Sequence, residues 1–122
     1  MILADTSVWV DHLRAPNGEM RRLLGVGEII MHPFVLAEIA LVSLRDRKET
    51  LRELDLLIQA QMAQVSEVRN LIEARNLYSR GIGFVDAHLI AAALLNSGVQ
   101  LWTRDKRLRA VAEFFGIEAH LP

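Results

Sequence analysis

The chain opens with Met1-Ile-Leu-Ala-Asp-Thr-Ser-Val-Trp-Val10, the stretch that decides its fold. The apolar run Met1–Ala4 is too short for a helix, and it stops at Asp5, just before a segment with helical periodicity. This pattern predicts a buried strand that ends in a carboxylate. In open α/β sheets, ligands bind in the crevice beside the carboxyl ends of the strands. Asp5 is therefore either the N-cap of the next helix or the first residue of a site at that edge.

Composition restricts the classes of protein to which the chain can belong. Its 122 residues, 52% of them hydrophobic and none of them cysteine, predict a single globular domain over residues 1–122 without disulfides or Cys-ligated zinc. No apolar run is long enough to span a bilayer, and Asp5 interrupts any signal-peptide pattern, so we expect a soluble, cytoplasmic protein with no membrane contact. The net charge of −1 provides no global attraction for nucleic acid, so such binding requires a local basic patch.

Beyond the first helix, strand-like and helix-like segments alternate along the chain. Strands are predicted at Glu28–Met31, Ala63–Val65 and Val99–Thr103, with a last edge strand at Ile117–Glu118. Helices are predicted at Glu19–Leu24, Phe34–Leu44, Glu49–Gln59, Glu67–Ser79, Phe84–Asn96 and Lys106–Phe115. Such alternation is typical of an α/β fold, in which a parallel sheet is covered by helices on both faces.

Two acidic residues, Glu38 and Asp86, lie on helices among apolar neighbours. Along the same helical faces, these neighbours are Phe34, Val35, Leu41 and Val42 for Glu38, and Leu89, Ile90 and Ala93 for Asp86. An unpaired carboxylate in apolar surroundings is unfavourable, so each of these acids calls for a basic partner or a cation. For Asp86 the helix dipole offers a simpler explanation of its position in the first turn, but not of its apolar neighbours.

A fourth acid, Asp105, follows the strand Leu101–Thr103 and precedes a basic helix. Asp105 is a favourable N-cap, yet it also occupies the same position as Asp5, just past the end of a buried strand. Four carboxylates that converge on one crevice would repel each other without a cation, and hard oxygen ligands select Mg²⁺ or Mn²⁺. The adjacent basic residues either bind substrate phosphates or form a solvated helix face. They are Arg104, Lys106, Arg107 and Arg109.

These motifs resemble those of the PIN-domain nucleases, and within them the VapC-type toxins of bacterial and archaeal toxin–antitoxin pairs. The matching segments, which appear in the family's order as far as about Phe115, are Leu3–Ser7, Leu36–Glu38, Gly83–Ala93 and Leu101–Arg107. The resemblance implies an α/β/α sandwich around a parallel sheet of four to five strands. It also implies a metal-dependent endoribonuclease that hydrolyses single-stranded or looped RNA and leaves a 5′-phosphate and a 3′-hydroxyl.

The resemblance also implies roles for particular residues and partners. Asp5, Glu38, Asp86 and Asp105 correspond to the family's acidic catalytic site, in which we expect the three aspartates to hold Mg²⁺ or Mn²⁺ and Glu38 to act as ligand or outer-shell acceptor. The hydroxyls expected to orient these carboxylates or waters are those of Thr6, Ser7 and Thr103. The family implies a homodimer and a small antitoxin that covers the acidic groove. Where some relatives carry a further acid this chain has His88, which leaves a second metal position open.

Several alternatives remain beside this hypothesis. A catalytically silent PIN-like module that binds RNA or an antitoxin would share the fold. The histidines show no paired spacing, so an acid–base histidine pair is not predicted. Trp9 and Trp102 are expected in the core, although aromatic rings also stack on splayed bases. The apolar stripe that we expect to be helical core, or else the surface for the antitoxin or a second copy, comprises Leu51, Leu54, Leu57 and Ile58.

Overall fold

The computed structural model describes residues 1–122, and at its centre lies a four-stranded parallel sheet. The strands are β1 (Ile2–Ala4), β2 (Ile29–Met31), β3 (Ile58–Gln59) and β4 (Gln100–Trp102). They lie in the order β3-β2-β1-β4, so that β1 is bonded on both sides, with Leu3 beside Ile30 and Leu101. The prediction of an α/β fold with a parallel sheet of four to five strands is confirmed.

Seven helices connect and cover the strands. They are α1 (Thr6–Arg14), α2 (Gly18–Gly25), α3 (Pro33–Ala40), α4 (Arg47–Asp55), α5 (Val65–Ala74), α6 (Phe84–Leu95) and α7 (Lys106–Phe114). All three residues of β2 are buried, and since successive side chains of a strand point to opposite faces, both faces of the sheet are covered there. None of the helices combines the length and the apolar character needed to cross a membrane.

The core lies around the central strand. Leu3, Ala4 and Leu101 are completely buried within the sheet, and Trp9 and Trp102 are almost completely buried beside it. Both tryptophans are therefore core residues, as expected, and neither ring is exposed for base stacking. Burying side chains of this size contributes roughly 1.5–3 kcal/mol each relative to leaving them in water. This packing fixes the position of β1, and with it the position of Asp5.

The third strand is not where the sequence pattern placed it. The segment Ala63–Val65, predicted as a strand, is the approach to α5, and the strand lies instead at Ile58–Gln59, inside the predicted helix Glu49–Gln59. The helix α4 ends at Asp55, and Ile58 then pairs with Ile30 of β2. A two-residue strand shows no alternation, so the helical spacing of the leucines before it dominated the pattern. The predicted edge strand at Ile117–Glu118 is reduced to a single parallel bridge between Leu101 and Glu118.

Helix α3 is also shorter than the predicted Phe34–Leu44. It ends at Ala40 because the next turn tightens, with the Leu41 N–H donating to the Glu38 carbonyl and the Val42 N–H to that of Ile39. The Arg47 guanidinium then donates to the carbonyls of Ala40 and Val42, which caps the open end of the helix.

The predicted stripe of apolar residues on α4 does not form one exposed surface. Leu54 is 6% exposed and belongs to the core, whereas Ile58 lies on β3 and is 61% exposed. The prediction of a core position is confirmed for Leu54 and for Leu51 and Leu57, which pack against the core, so a polar substitution at Leu54 would test folding rather than binding. The exposed apolar residues of this region are Leu41, Leu56 and Ile58.

Candidate functional site

A groove of about 640 Å³ opens at the carboxyl edge of the sheet. Besides Asp11 of α1, which pairs with Arg104, four carboxylates line it, and each comes from a different part of the fold: the end of β1, the middle of α3, the first turn of α6 and the loop after β4. They belong to Asp5, Glu38, Asp86 and Asp105. The topology explains this meeting, because the ends of the parallel strands β1 and β4 lie side by side.

Asp5 is the most firmly held of the four acids. It is 6% exposed, and its own N–H donates to the carbonyl of Trp102 on β4. Its carboxylate accepts hydrogen bonds from the Ser7 hydroxyl (3.0 Å), the Val8 N–H (3.0 Å) and the Thr103 hydroxyl. The bond from Val8 makes Asp5 the N-cap of α1, so the capping role and the position in the groove belong to the same side chain.

Asp105 is the N-cap of α7 and is linked to Asp5 through one hydroxyl group. Its Oδ1 accepts from the N–H groups of Arg107 (2.9 Å) and Leu108 (3.0 Å), which leaves Oδ2 without a protein donor. The Asp105 N–H donates to the Thr103 hydroxyl at 3.1 Å, and that hydroxyl donates in turn to Asp5. Thr103, which is fully buried, therefore joins the two acids that follow neighbouring strands.

Glu38 and Asp86 approach the groove from helices and are half-buried. The Thr6 hydroxyl donates to Oε1 of Glu38, and the Gly83 N–H donates to Oδ2 of Asp86 at 3.2 Å. Burial raises the pKa of Asp86, the Gly83 N–H opposes this rise, and the charges of Asp5, Asp105 and Glu38 raise the pKa further. Asp86 is thus close enough to the other three acids for their repulsion to act on it.

No basic side chain neutralises the four acids. None of them takes part in a salt bridge, and Arg14 is the one lysine or arginine that lines the groove. Arg104, predicted to bind RNA phosphate, donates instead to Asp11 (2.7 Å) and to the Pro122 carbonyl (3.1 Å). Lys106 and Arg107, predicted for the same role, line a separate depression outside the groove.

The donor chemistry of the groove suits a hard divalent cation. All four candidate ligands are carboxylates, and no thiol or imidazole lines the groove. No three acidic or histidine side chains converge as a ready-made metal cage. Mg²⁺ does not need such a cage, because it keeps several waters and is bound by one or two carboxylates together with substrate phosphates. The residues present therefore fit a loosely held cation.

A second polar cluster, which no sequence pattern predicts, lies beside the groove. The rings of His32 and His88 are buried with their centroids 6.4 Å apart, and the His88 ring packs against Phe34 (4.8 Å) and Phe84 (4.6 Å). His32 accepts the Phe34 N–H and so caps α3, while Nε2 of His32 and both ring nitrogens of His88 have no partner. Burial lowers the pKa of His32 to about 4 and lowers that of His88, so both rings are neutral at neutral pH. One signal is present in the sequence: His32 directly follows β2, as Asp5 directly follows β1.

This arrangement of strands and acids agrees with the comparison with known proteins. The PIN domain family matches residues 2–114, a range that includes all four acids. The chain belongs to the PIN-domain family. Ribonuclease VapC32 of Mycobacterium tuberculosis, in strains CDC 1551 / Oshkosh and ATCC 25618 / H37Rv, is 44% identical to this PIN-domain chain over 117 residues, covering 96% of the chain and 94% of that protein. The predicted membership of the VapC-type PIN nucleases is thereby confirmed, and nucleases of this family generally use a divalent metal ion.

Proposed function

We propose that the protein is an endoribonuclease, the toxin of a toxin–antitoxin pair, which acts in the cytoplasm on single-stranded or looped RNA. In this proposal it hydrolyses phosphodiester bonds with Mg²⁺ or Mn²⁺ held in the acidic groove. The similarity to Ribonuclease VapC32 over almost the whole chain supports the reaction class. The observation that carries the proposal is the groove itself, which is lined by four carboxylates from four segments that take part in no salt bridge.

The proposed roles follow from the hydrogen bonds that each carboxylate oxygen makes or lacks. Asp5, Asp86 and Asp105 would hold the cation, with Asp5 fixed by its three hydrogen-bond donors and Asp105 offering the oxygen that has no protein donor. Glu38, which the Thr6 hydroxyl orients through Oε1, would accept a proton from the attacking water through its other oxygen. A bound cation supplies Lewis-acid activation of that water and neutralises charge on the phosphate.

The reaction would proceed by direct attack of water on phosphorus. A bond forms between the water oxygen and phosphorus, the bond from phosphorus to the 3′-oxygen breaks, the water proton passes to a carboxylate, and the departing 3′-oxygen takes up a proton from solvent. This route does not use the 2′-hydroxyl and leaves a 5′-phosphate and a 3′-hydroxyl. The two buried histidines fit no acid–base role in it, because both are enclosed beside phenylalanine rings and neither lines the groove.

The experiment that tests this proposal is RNA cleavage by the purified protein, with the 5′ ends of the fragments determined by sequencing. We expect fragments with 5′-phosphates in Mn²⁺ or Mg²⁺ and no cleavage in EDTA. Cleavage that persists in EDTA, or fragments that carry a 5′-hydroxyl, would exclude the proposed mechanism. Comparing the two metals in the same assay would identify the more effective ion.

A second candidate function is a catalytically silent module that binds RNA or an antitoxin. The observation that favours it is the lack of three converging acids in the structure. Calorimetric titration with Mn²⁺ separates the two candidates, because a catalytic site binds the metal and a silent module does not. Metal binding together with cleavage supports the enzyme, whereas RNA binding without either supports the silent module.

For partners, we propose a homodimer and a small antitoxin that covers the acidic groove. Exposed apolar side chains support a protein partner: Leu41 at the end of α3 is 86% exposed, and Leu56 and Ile58 at the edge strand are 79% and 61% exposed. The strand β3, which carries Ile58, is an edge strand and has unpaired backbone groups on its outer side. We expect Ile58→Lys to shift the purified protein from dimer to monomer in light scattering. A wild-type monomer would contradict the proposed dimer.

A further inference from the structure

A surface patch outside the acidic groove combines arginine side chains with an exposed phenylalanine. We name it the α7 patch, and it consists of Arg75, Arg80, Lys106, Arg107 and Phe114. The Arg80 guanidinium lies 5.4 Å from the centre of the Phe114 ring, and that of Arg75 lies 5.8 Å from it. Phe114 is 57% exposed, so part of its ring remains open to solvent.

The charges of the α7 patch are not neutralised by the protein. None of its four basic residues takes part in a salt bridge. By contrast, the basic residues Arg104 and Arg109 of the same region pair with Asp11 and Glu118. Glu73 and Glu113, which are close in sequence to Arg75 and Phe114, form no salt bridge, and neither does Asp105, which precedes Lys106. The positive charge of the α7 patch is therefore available to an anionic partner.

The α7 patch adjoins the groove at the start of α7. Asp105 lines the groove, and Lys106 and Arg107 follow it in the first turn of the helix. Arg107 packs so closely on Gly81 that a Cβ atom there would lie 2.5 Å from the arginine Cδ. Two residues beyond Gly81, the N–H of Gly83 donates to Asp86 in the groove. From this junction the patch continues along Arg107, Ala110 and Phe114, which share one face of α7.

Because the groove is acidic, an RNA substrate needs a positively charged surface outside it. RNA carries one negative charge per nucleotide, and the four carboxylates of the groove that have no salt-bridge partner repel it. A bound cation offsets this repulsion only at the scissile phosphate, so the flanking nucleotides need positive charge elsewhere. Arg14 is the one cation that lines the groove, on the side of α1. On the side of α7, the unpaired cations next to the groove are those of the α7 patch.

We propose that the α7 patch binds a single-stranded segment of the RNA substrate that flanks the scissile bond. This inference rests on the proposed function. The guanidinium groups contact phosphates, and the Phe114 ring stacks on an unpaired base. An exposed aromatic ring between unpaired arginines suits a base next to a phosphate better than it suits an acidic peptide, which offers charges but no flat ring. The patch therefore selects substrates that extend beyond the groove as unpaired RNA.

The test compares a long and a short RNA that contain the same cleavage site, one of about twenty nucleotides and one a tetranucleotide. The measured quantity is kcat/KM in Mn²⁺, expressed as the ratio of long to short RNA. We expect Arg80→Gln and Phe114→Ser each to lower this ratio on the order of fivefold. Arg80→Lys retains the charge and should retain most of the ratio. The control is Lys48→Gln, an exposed cation on α4, which leads to the opposite edge strand β3. It should leave the ratio unchanged.

The dependence on salt provides a second measurement. The slope of log kcat/KM for the long RNA against log salt concentration should become shallower by about 0.7 for each phosphate that a variant no longer binds. Circular dichroism verifies that the variants fold. An unchanged ratio in both patch variants overturns the inference while the proposed function stands. A loss of affinity for a poly-glutamate peptide, with the RNA ratio unchanged, overturns it in favour of a protein-binding surface. No cleavage by the wild-type protein overturns the proposed function and this inference together.

Discussion

The acidic groove and the buried pair of histidines lie side by side, and both place polar groups among apolar neighbours. In the groove, the four carboxylates line an open depression, and burial together with the charges of the other three acids raises the pKa of Asp86. In the histidine pair, burial lowers the pKa of each ring and leaves both neutral. Polar residues in apolar surroundings can therefore have either a functional or a structural role. Those that keep their charge and remain accessible indicate a site, and those that are enclosed and neutral indicate structure.

The largest effect should come from Asp5→Asn. Asparagine retains the shape and the N-cap acceptor, so the fold should persist, but the charge that would hold a cation is lost. We expect RNA cleavage to fall at least about a hundredfold, since even partners behind a metal ligand are worth 10- to 100-fold. Asp55→Asn on the exposed end of α4 is the control and should cleave at the wild-type rate. Normal activity in Asp5→Asn would show that the acids of the groove, like the buried histidines, have no role in catalysis.

Substitutions at His88 should affect stability and not catalysis. His88→Ala leaves a cavity among phenylalanine rings and should lower the free energy of unfolding by roughly 2–4 kcal/mol. His88→Leu fills the space and removes two nitrogens that have no partner, so it should be neutral or stabilising. Urea denaturation measures both. If His88→Leu lowered the free energy of unfolding as much as His88→Ala, the imidazole would make a polar interaction in the folded protein. The histidine pair could then not be treated as apolar core.

Acidic pH should destabilise the protein through His32. Its pKa is lowered from 6.5 to about 4, so below pH 6.5 the unfolded chain takes up a proton that the folded protein does not. Stability is therefore lost as the pH falls from 6.5 towards 4, by roughly 2–3 kcal/mol from this residue. His32→Asn preserves a capping side chain for α3 and should lack this part of the loss. Equal pH profiles of the two proteins, measured by denaturant unfolding, would contradict a neutral His32.

The smallest effect should come from Asp86→Asn in the absence of metal. The raised pKa of Asp86 means that its charged form destabilises the folded protein at neutral pH, and this penalty disappears as the pH falls towards 3.8. Asparagine still accepts the Gly83 N–H, so the metal-free variant should be slightly more stable at neutral pH, by a solvent-screened amount of less than about 1 kcal/mol, and the gain should shrink at acidic pH.

Thermal unfolding in EDTA measures this gain. Glu67→Gln is the matched control, because Glu67 accepts the Gln64 N–H in the same way at the start of α5 but lies outside the groove. It should gain nothing. A destabilised Asp86→Asn variant would show that the groove does not repel its own carboxylates.

The sequence predicts the acids because local rules apply to them. Asp5 and Asp105 each follow a strand, and Glu38 and Asp86 each have apolar neighbours on a helix, so short windows of sequence contain the signal. The histidine pair obeys no such rule, because His32 and His88 meet only through the packing of α3 and α6. The partners of the arginines are equally non-local: Arg104 pairs with Asp11 from α1, which no spacing in the sequence indicates.

The same distinction holds for the fold. Strand β1 is predictable because four apolar residues end at an acid, whereas β3 is not, because two residues carry no periodicity. That strand exists through its pairing with Ile30 and Met31, and the Ala60 N–H extends the pairing to the Met31 carbonyl. A strand that forms because of its pairing partner has no recognisable pattern in its own sequence.

The single hydroxyl group of Thr103 has a consequence for how the protein is made. It contacts both Asp5, which lies 98 residues before it in the sequence, and the backbone of Asp105. A growing polypeptide therefore lacks this link until the last strand has left the ribosome and docked beside the first. The link between the two acids therefore forms only after β4 has docked beside β1.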